Sequence, residues 1–128
     1  PFPTIDTVKD DLSILPNGID ISNKCFLGFY DNDQLIGIID LITNYPDNET
    51  CFIGLFMIDS KYQGKGIGSL LIEDICCCLK EDYKYIRLAF AINNTKAKEF
   101  WNKNKFVPIK QTNTYNDNLE VMLCIRQL

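Results

Sequence analysis

The chain has 128 residues, is 46% hydrophobic and carries a formal net charge of −4, which fits one compact α/β domain spanning residues 1–128. The acidic balance excludes an electrostatic grip on nucleic acid, which needs clustered Lys and Arg, and is compatible with a cationic small substrate. No stretch approaches ~18 uncharged apolar residues and no N-terminal segment reads as a signal peptide, so no membrane partner is expected and the chain is assigned to the cytoplasm.

Residues 1–23 mix scattered apolar residues with Pro1, Pro3 and Pro16 and read as an irregular or short helical lead-in around Leu12, Ile14 and Leu15. The chain begins at Pro1 rather than Met, and this lead-in is expected to be truncated. Cys25 to Tyr30 reads as a strand, Asp31-Asn32-Asp33 as a turn, and Leu35 to Ile42 as the second arm of an antiparallel hairpin. A turn over 44–48 leads to Cys51 to Ile58, apolar on both faces and so expected in the middle of a sheet. Residues 66–80 form an amphipathic helix, with Ile67, Leu71, Ile75 and Cys78 on the apolar side and Ser69, Glu73, Cys76 and Lys80 opposite. Tyr85 to Ile92 alternates as a strand, which completes a strand–helix–strand unit. Asn94 or Thr95 caps a second helix through about Asn104. Phe106 to Gln111 and Leu119 to Arg126 close the chain as an antiparallel hairpin.

Six cysteines are present. Cys76, Cys77 and Cys78 are consecutive, and adjacent residues rarely satisfy disulfide geometry. Cys25, Cys51 and Cys124 sit in apolar runs, so buried free thiols are expected. There is no CxxC pair and no histidine, so a zinc site lacks its ligand spacing and no metal is expected. The missing histidine also removes Ser-His and Cys-His arrangements, and leaves chemistry to carboxylates, tyrosines, backbone groups or water.

The informative segment is Gln63-Gly64-Lys65-Gly66-Ile67-Gly68, between a buried strand and an amphipathic helix. Glycines at alternate positions permit tight backbone and close approach of a ligand. The helix they open presents unpaired N–H groups and the positive end of its dipole, which favour an anion such as a diphosphate. Lys65 adds a mobile cation. A P-loop would need GxxxxGK followed by Ser or Thr, and the dinucleotide pattern GxGxxG would need glycine at position 69, which is Ser69. A glycine-rich turn with no ligand is the remaining reading of the loop alone.

Gln63 to Gly68 matches the acetyl-CoA loop of the GNAT superfamily of N-acetyltransferases, Q/R-x-x-G-x-G/A. Asn94, Ala97, Trp101, Lys103 and Phe106 match in spacing the downstream pattern N-x-x-A-x-x-x-Y-x-K-x-G-F. The chain therefore resembles a GNAT protein over about residues 24–128. The resemblance implies an α/β (α+β) fold with a mixed, mostly antiparallel sheet around a central parallel strand–helix–strand unit and flanking helices. It implies acetyl-CoA as cosubstrate, with the pantetheine arm entering a gap between two parallel strands beside the backbone of Phe56, Met57 and Ile58. The amides of Gln63, Gly64, Lys65, Gly66, Ile67, Gly68 and Ser69 would cradle the diphosphate, and Asn94, Trp101 and Lys103 complete the implied cofactor set. Dimers are common in the family, so a homodimer is the assembly it suggests.

The implied reaction is direct attack of the primary amine of a small molecule or peptide on the thioester, with the backbone N–H of Met57 or Ile58 as oxyanion donor. Trp101 stands where many relatives carry the tyrosine that protonates the thiolate, and Lys105 where glycine is usual at the helix exit. An indole N–H donates a hydrogen bond but is no acid near neutral pH. Asp40, flanked by Ile38, Ile39, Leu41 and Ile42, is the candidate base if desolvation raises its pKa; its other reading is a solvent-facing or turn-anchoring residue. Glu49 is a second candidate base. Tyr115 and Tyr45, both in turns, are candidates for the missing phenol. A catalytically silent acyl-CoA-binding or regulatory module is the alternative function, and a nucleotide-binding domain a third.

Overall fold

The computed structural model describes residues 23–114 and 119–128. The lead-in readings at 1–22 and Tyr115 fall outside these. The described elements run β1 (Lys24–Asp31), β2 (Gln34–Ile42), β3 (Thr50–Ile58), a 3-10 turn (Ser60–Tyr62), α1 (Ile67–Leu79), β4 (Tyr85–Ala91), α2 (Thr95–Lys103), β5 (Val107–Asn113) and β6 (Glu120–Gln127). They build one six-stranded sheet in the order β1-β2-β3-β4-β6-β5. Only β3 and β4 pair in parallel. The mixed, mostly antiparallel sheet expected from the sequence is the sheet observed.

Alternation puts one face of the sheet against the helices. In β4, Ile86, Leu88 and Phe90 are buried, while Tyr85, Arg87 and Ala89 on the other face are half-buried. The buried set joins Ile39, Leu41 and Ile53 of the sheet to Ile72 and Ile75 of α1 and to Trp101 and Phe106. Each fully buried side chain of this size contributes roughly 1.5–3 kcal/mol. Asn32, at φ 56°, turns the β1–β2 hairpin in a conformation that Asn tolerates well.

Two sequence readings of α1 are corrected. The residues it buries are Ile72, Ile75 and Cys76, so Cys76 lies inward rather than opposite, whereas Cys78 faces solvent. The inward stripe is thus rotated from the one expected. Cys51, Cys76 and Cys124 are buried free thiols and Cys25 is half-buried, but Cys77 and Cys78 are exposed.

The feature that shapes the site is a bulge in β3. Asp40 pairs with Leu55 but the next residue, Leu41, pairs with Ile53, so Gly54 is the extra residue. An inserted residue bends its strand and increases local twist. On the other side, parallel pairing of β3 with β4 runs from Thr50↔Tyr85 only as far as Ile53↔Leu88. Gly54–Ile58 of β3 and Ala89–Ala91 of β4 then diverge, although β4 stays paired with β6 through Ala91↔Val121.

Candidate active site

The divergence leaves unpaired backbone along one edge of β3. Asp59 N–H donates to the Ile36 carbonyl at 2.8 Å. Backbone groups alternate between the two edges of an antiparallel strand, so Met57 also turns its groups toward β2, while Phe56 and Ile58 aim theirs at the gap. The Ile58 carbonyl accepts from Gln63 Nε2 at 2.8 Å. That bond pins the loop to the end of the strand, and leaves the Phe56 groups and the Ile58 N–H facing the gap. Of the two oxyanion candidates, the Ile58 N–H faces the gap, and the Met57 amide turns toward β2, where Met57 pairs with Ile38.

The loop after the strand has the backbone its glycines were expected to allow. Gly64 and Gly66 lie at φ 76° and 80°, and a Cβ at either would meet nothing within 4 Å. Backbone conformation, not crowding, is what demands glycine there. Gly66 is the N-cap of α1, with no side-chain cap, and the first turn holds no acidic residue. The first intrahelical bond is Leu70 N–H to the Gly66 carbonyl, so the amides of Ile67, Gly68 and Ser69 have no acceptor in the helix. These donors and the helix dipole form a receptor for negative charge.

Gly68 serves a different purpose. A Cβ there would lie 3.1 Å from the Phe100 ring, so glycine lets α1 and α2 approach closely. Between the helices and the gap lies a cleft of about 580 Å³. Of the residues read as cofactor contacts, Phe56, Ile58 and Gln63 line it on the strand side, and Gly64, Gly66, Gly68 and Ser69 at the loop. Asn94, Trp101 and Lys103 line it from α2. Met57, Lys65 and Ile67 are not among its walls. Lys96, Ala97 and Phe100 are, and of these only Ala97 belonged to the sequence motif. Lys96 and Lys103 are the cations of the lining, which holds no carboxylate.

Asn94 caps α2 by accepting from Ala97 N–H at 3.0 Å, which commits its oxygen to the helix and leaves the amide nitrogen as the end able to serve a ligand. Trp101 is 8% exposed. Its ring lies 4.8 Å from Phe100, 5.2 Å from Phe106 and 5.8 Å from Phe56. It anchors α2 to the sheet beneath the cleft floor.

The chain matches the model of the acetyltransferase (GNAT) family over residues 3–106. The chain belongs to this GNAT family. A GNAT acetyltransferase from Elizabethkingia anophelis, solved with acetyl-CoA bound, is 18% identical with a TM-score of 0.75, over 98% of this chain and 84% of that one. A spermidine N-acetyltransferase SpeG chimera from Vibrio cholerae and hSSAT is 20% identical with a TM-score of 0.69, over 82% and 67%. The NatC complex bound to Gag peptide and CoA is 22% identical with a TM-score of 0.67, over 80% and 70%. At such identities these likenesses speak to the GNAT fold. No curated protein matches the chain.

The catalytic carboxylate expected of this GNAT domain is differently placed. Asp40 is 7% exposed, but its Oδ2 lies 3.1 Å from Lys24 Nζ, whose side chain is equally buried. It is neither an isolated desolvated acid nor a solvent-facing one. Its charge is matched by the ammonium in a buried ion pair, and a base that works must first give up that pair. Glu49 is exposed and 3.4 Å from Lys84, just before β3 and so at the opposite end from the gap. Tyr45 packs edge-on against Phe52 at 5.5 Å. Among the described residues no group of three or more His, Cys, Asp or Glu is arranged to hold a metal, and no helix is long and apolar enough to cross a membrane.

Proposed function

We propose that the chain transfers an acetyl group from acetyl-CoA to a primary amine of a small molecule or peptide by direct attack. The observation that carries this reading is the end of β3–β4 pairing at Ile53↔Leu88, beside a helix whose first amides lack acceptors. An extended amide-bearing arm fits the open edge at Phe56 and Ile58. A diphosphate fits the amides of Ile67, Gly68 and Ser69, with Lys103 on the same cleft. The bound cosubstrate supplies an activated acyl carbonyl.

This chain's residues then hold that carbonyl in the gap, where proximity replaces a bimolecular encounter. The Ile58 N–H, which faces the gap, would stabilise negative charge growing on the carbonyl oxygen. As the C–N bond forms the C–S bond breaks and CoA leaves as a thiolate; with no carboxylate among the described residues of the cleft walls, water takes the amine's proton and returns one to the thiolate. One structural neighbour is a spermidine N-acetyltransferase and another is a complex bound to a peptide, which supports an amine acceptor and leaves its size open.

A second reading is a GNAT-fold module that binds acyl-CoA without turnover. It is favoured by Trp101, which fills the position of the phenolic acid with an indole locked into an aromatic cluster. Thermal shift with acetyl-CoA, CoA, ATP and NAD tests the binding. A ligand at about 100 times its Kd stabilises by roughly 2.7 kcal/mol, on the order of 10 °C for a domain of this size. CoA and acetyl-CoA are expected to give it, ATP and NAD not. Mass spectrometry of offered polyamines and peptides then separates transfer from binding alone. No shift with CoA sinks both readings.

A further inference from the structure

Asn104, which follows α2, is 4% exposed. Its Nδ2 donates to the Phe100 carbonyl at 2.8 Å and to Ser69 Oγ at 3.1 Å. A carbonyl only accepts, so the Phe100 contact settles which end of the amide is nitrogen. Ser69 Oγ is therefore an acceptor toward Asn104, and its own proton must point elsewhere. Among the described residues that hydroxyl donates to no protein group, and Ser69 lines the cleft at the first turn of α1. Asn104 is also held through its main chain. Its backbone carbonyl accepts from Arg126 Nη1 at 3.1 Å, and that guanidinium nitrogen lies 2.9 Å from Glu73 Oε1 in α1.

We propose that Asn104 is a positioning residue, which makes the Ser69 hydroxyl a dedicated hydrogen-bond donor to the diphosphate of a CoA bound in the cleft. The inference rests on the acyl-CoA reading above and adds a side-chain donor to the backbone amides. A hydroxyl left to rotate would spend part of its time donating within the protein. One that already accepts from a clamped amide presents its proton outward.

The test measures affinity of the full chain for CoA and for pantetheine, which lacks the diphosphate. Ser69→Ala is expected to weaken CoA roughly tenfold or more, the effect of one hydrogen bond to a charged group. It should leave pantetheine unchanged, and Ser69→Thr should retain CoA affinity. Asn104→Ala is expected to weaken CoA alone, and to add nothing in a Ser69→Ala background. If Asn104→Ala does not fold, Asn104→Asp replaces it: the carboxylate captures the Ser69 proton, and its effect must likewise vanish in the Ser69→Ala background. Unchanged CoA affinity in Ser69→Ala overturns the inference, as do Asn104 losses that extend to pantetheine or persist without the hydroxyl. Failure of the unsubstituted chain to bind CoA overturns the acyl-CoA reading itself.

Discussion

Three residues at the edges of the helices share one backbone state for opposite reasons. Gly64 and Gly66 sit at φ 76° and 80°, and Lys105 sits at φ 71° just past α2. A side chain in this region costs roughly 1–2 kcal/mol through contact between Cβ and the backbone. Gly66→Ala therefore loses about 1–2 kcal/mol of stability although its new methyl would touch nothing. Lys105→Gly is expected to gain roughly 0.5–1 kcal/mol, part of the released strain being offset by the greater freedom of glycine in the unfolded chain. Urea denaturation of both variants checks the pair. A Lys105→Gly protein no more stable than its parent would mean that the strain is absorbed nearby. The sequence announced the glycine positions, since alternate glycines before a helix have few other uses. It marked Lys105 only through the resemblance, because a lysine bears no local sign of positive φ.

At the level of elements, strand positions were legible and their joints were not. β4 alternates cleanly, so Ile86, Leu88 and Phe90 identified their face from spacing alone. In α1, nine of the thirteen residues of IGSLLIEDICCCL are apolar, and such a run fits several stripes about equally. The rotation observed brings Gly68 against Phe100, a contact absent from the helix's own sequence. The Gly54 bulge was invisible for a related reason: a strand apolar on both faces has no alternation to interrupt. Lys96 and Phe100 reached the cleft through α2's placement, which composition does not encode.

One link between elements carries a pH signature. The hydrogen bond from Arg126 holds the Glu73 carboxyl below its ordinary value of 4.5. A depressed carboxylate pKa contributes stability above 4.5 that is lost as pH falls through the folded value. Because the Glu73 side chain is 45% exposed, solvent screens the pair and the contribution is modest. Glu73→Gln should be less stable than the parent at pH 7, and the difference should shrink at a pH well below 4.5, in melts at fixed ionic strength. Parallel melting curves at both pH values would remove the ion pair from the account.

Across the whole molecule, the six thiols divide by depth. Burial pushes the Cys51 thiol from 9.0 to about 11 and raises Cys76 and Cys124 as well. These groups stay protonated in the fold at a pH where the unfolded chain ionises. The unfolded state then binds fewer protons, so stability falls as pH rises from about 9 toward 11, by at most about 1.4 kcal/mol per pH unit for Cys51 alone. Cys77 and Cys78 are exposed on α1. Iodoacetamide with mass spectrometry at pH 8 is expected to label Cys77 and Cys78 within minutes, and to reach Cys51, Cys76 and Cys124 only at the rate of unfolding. Added CoA should slow that second phase without touching the first, because a ligand that binds only the folded chain lowers the open population by the factor 1 + [L]/Kd. Early labelling of Cys51 would show that the sheet opens locally around β3, and the rigid gap on which the acyl-CoA reading depends would have to be abandoned.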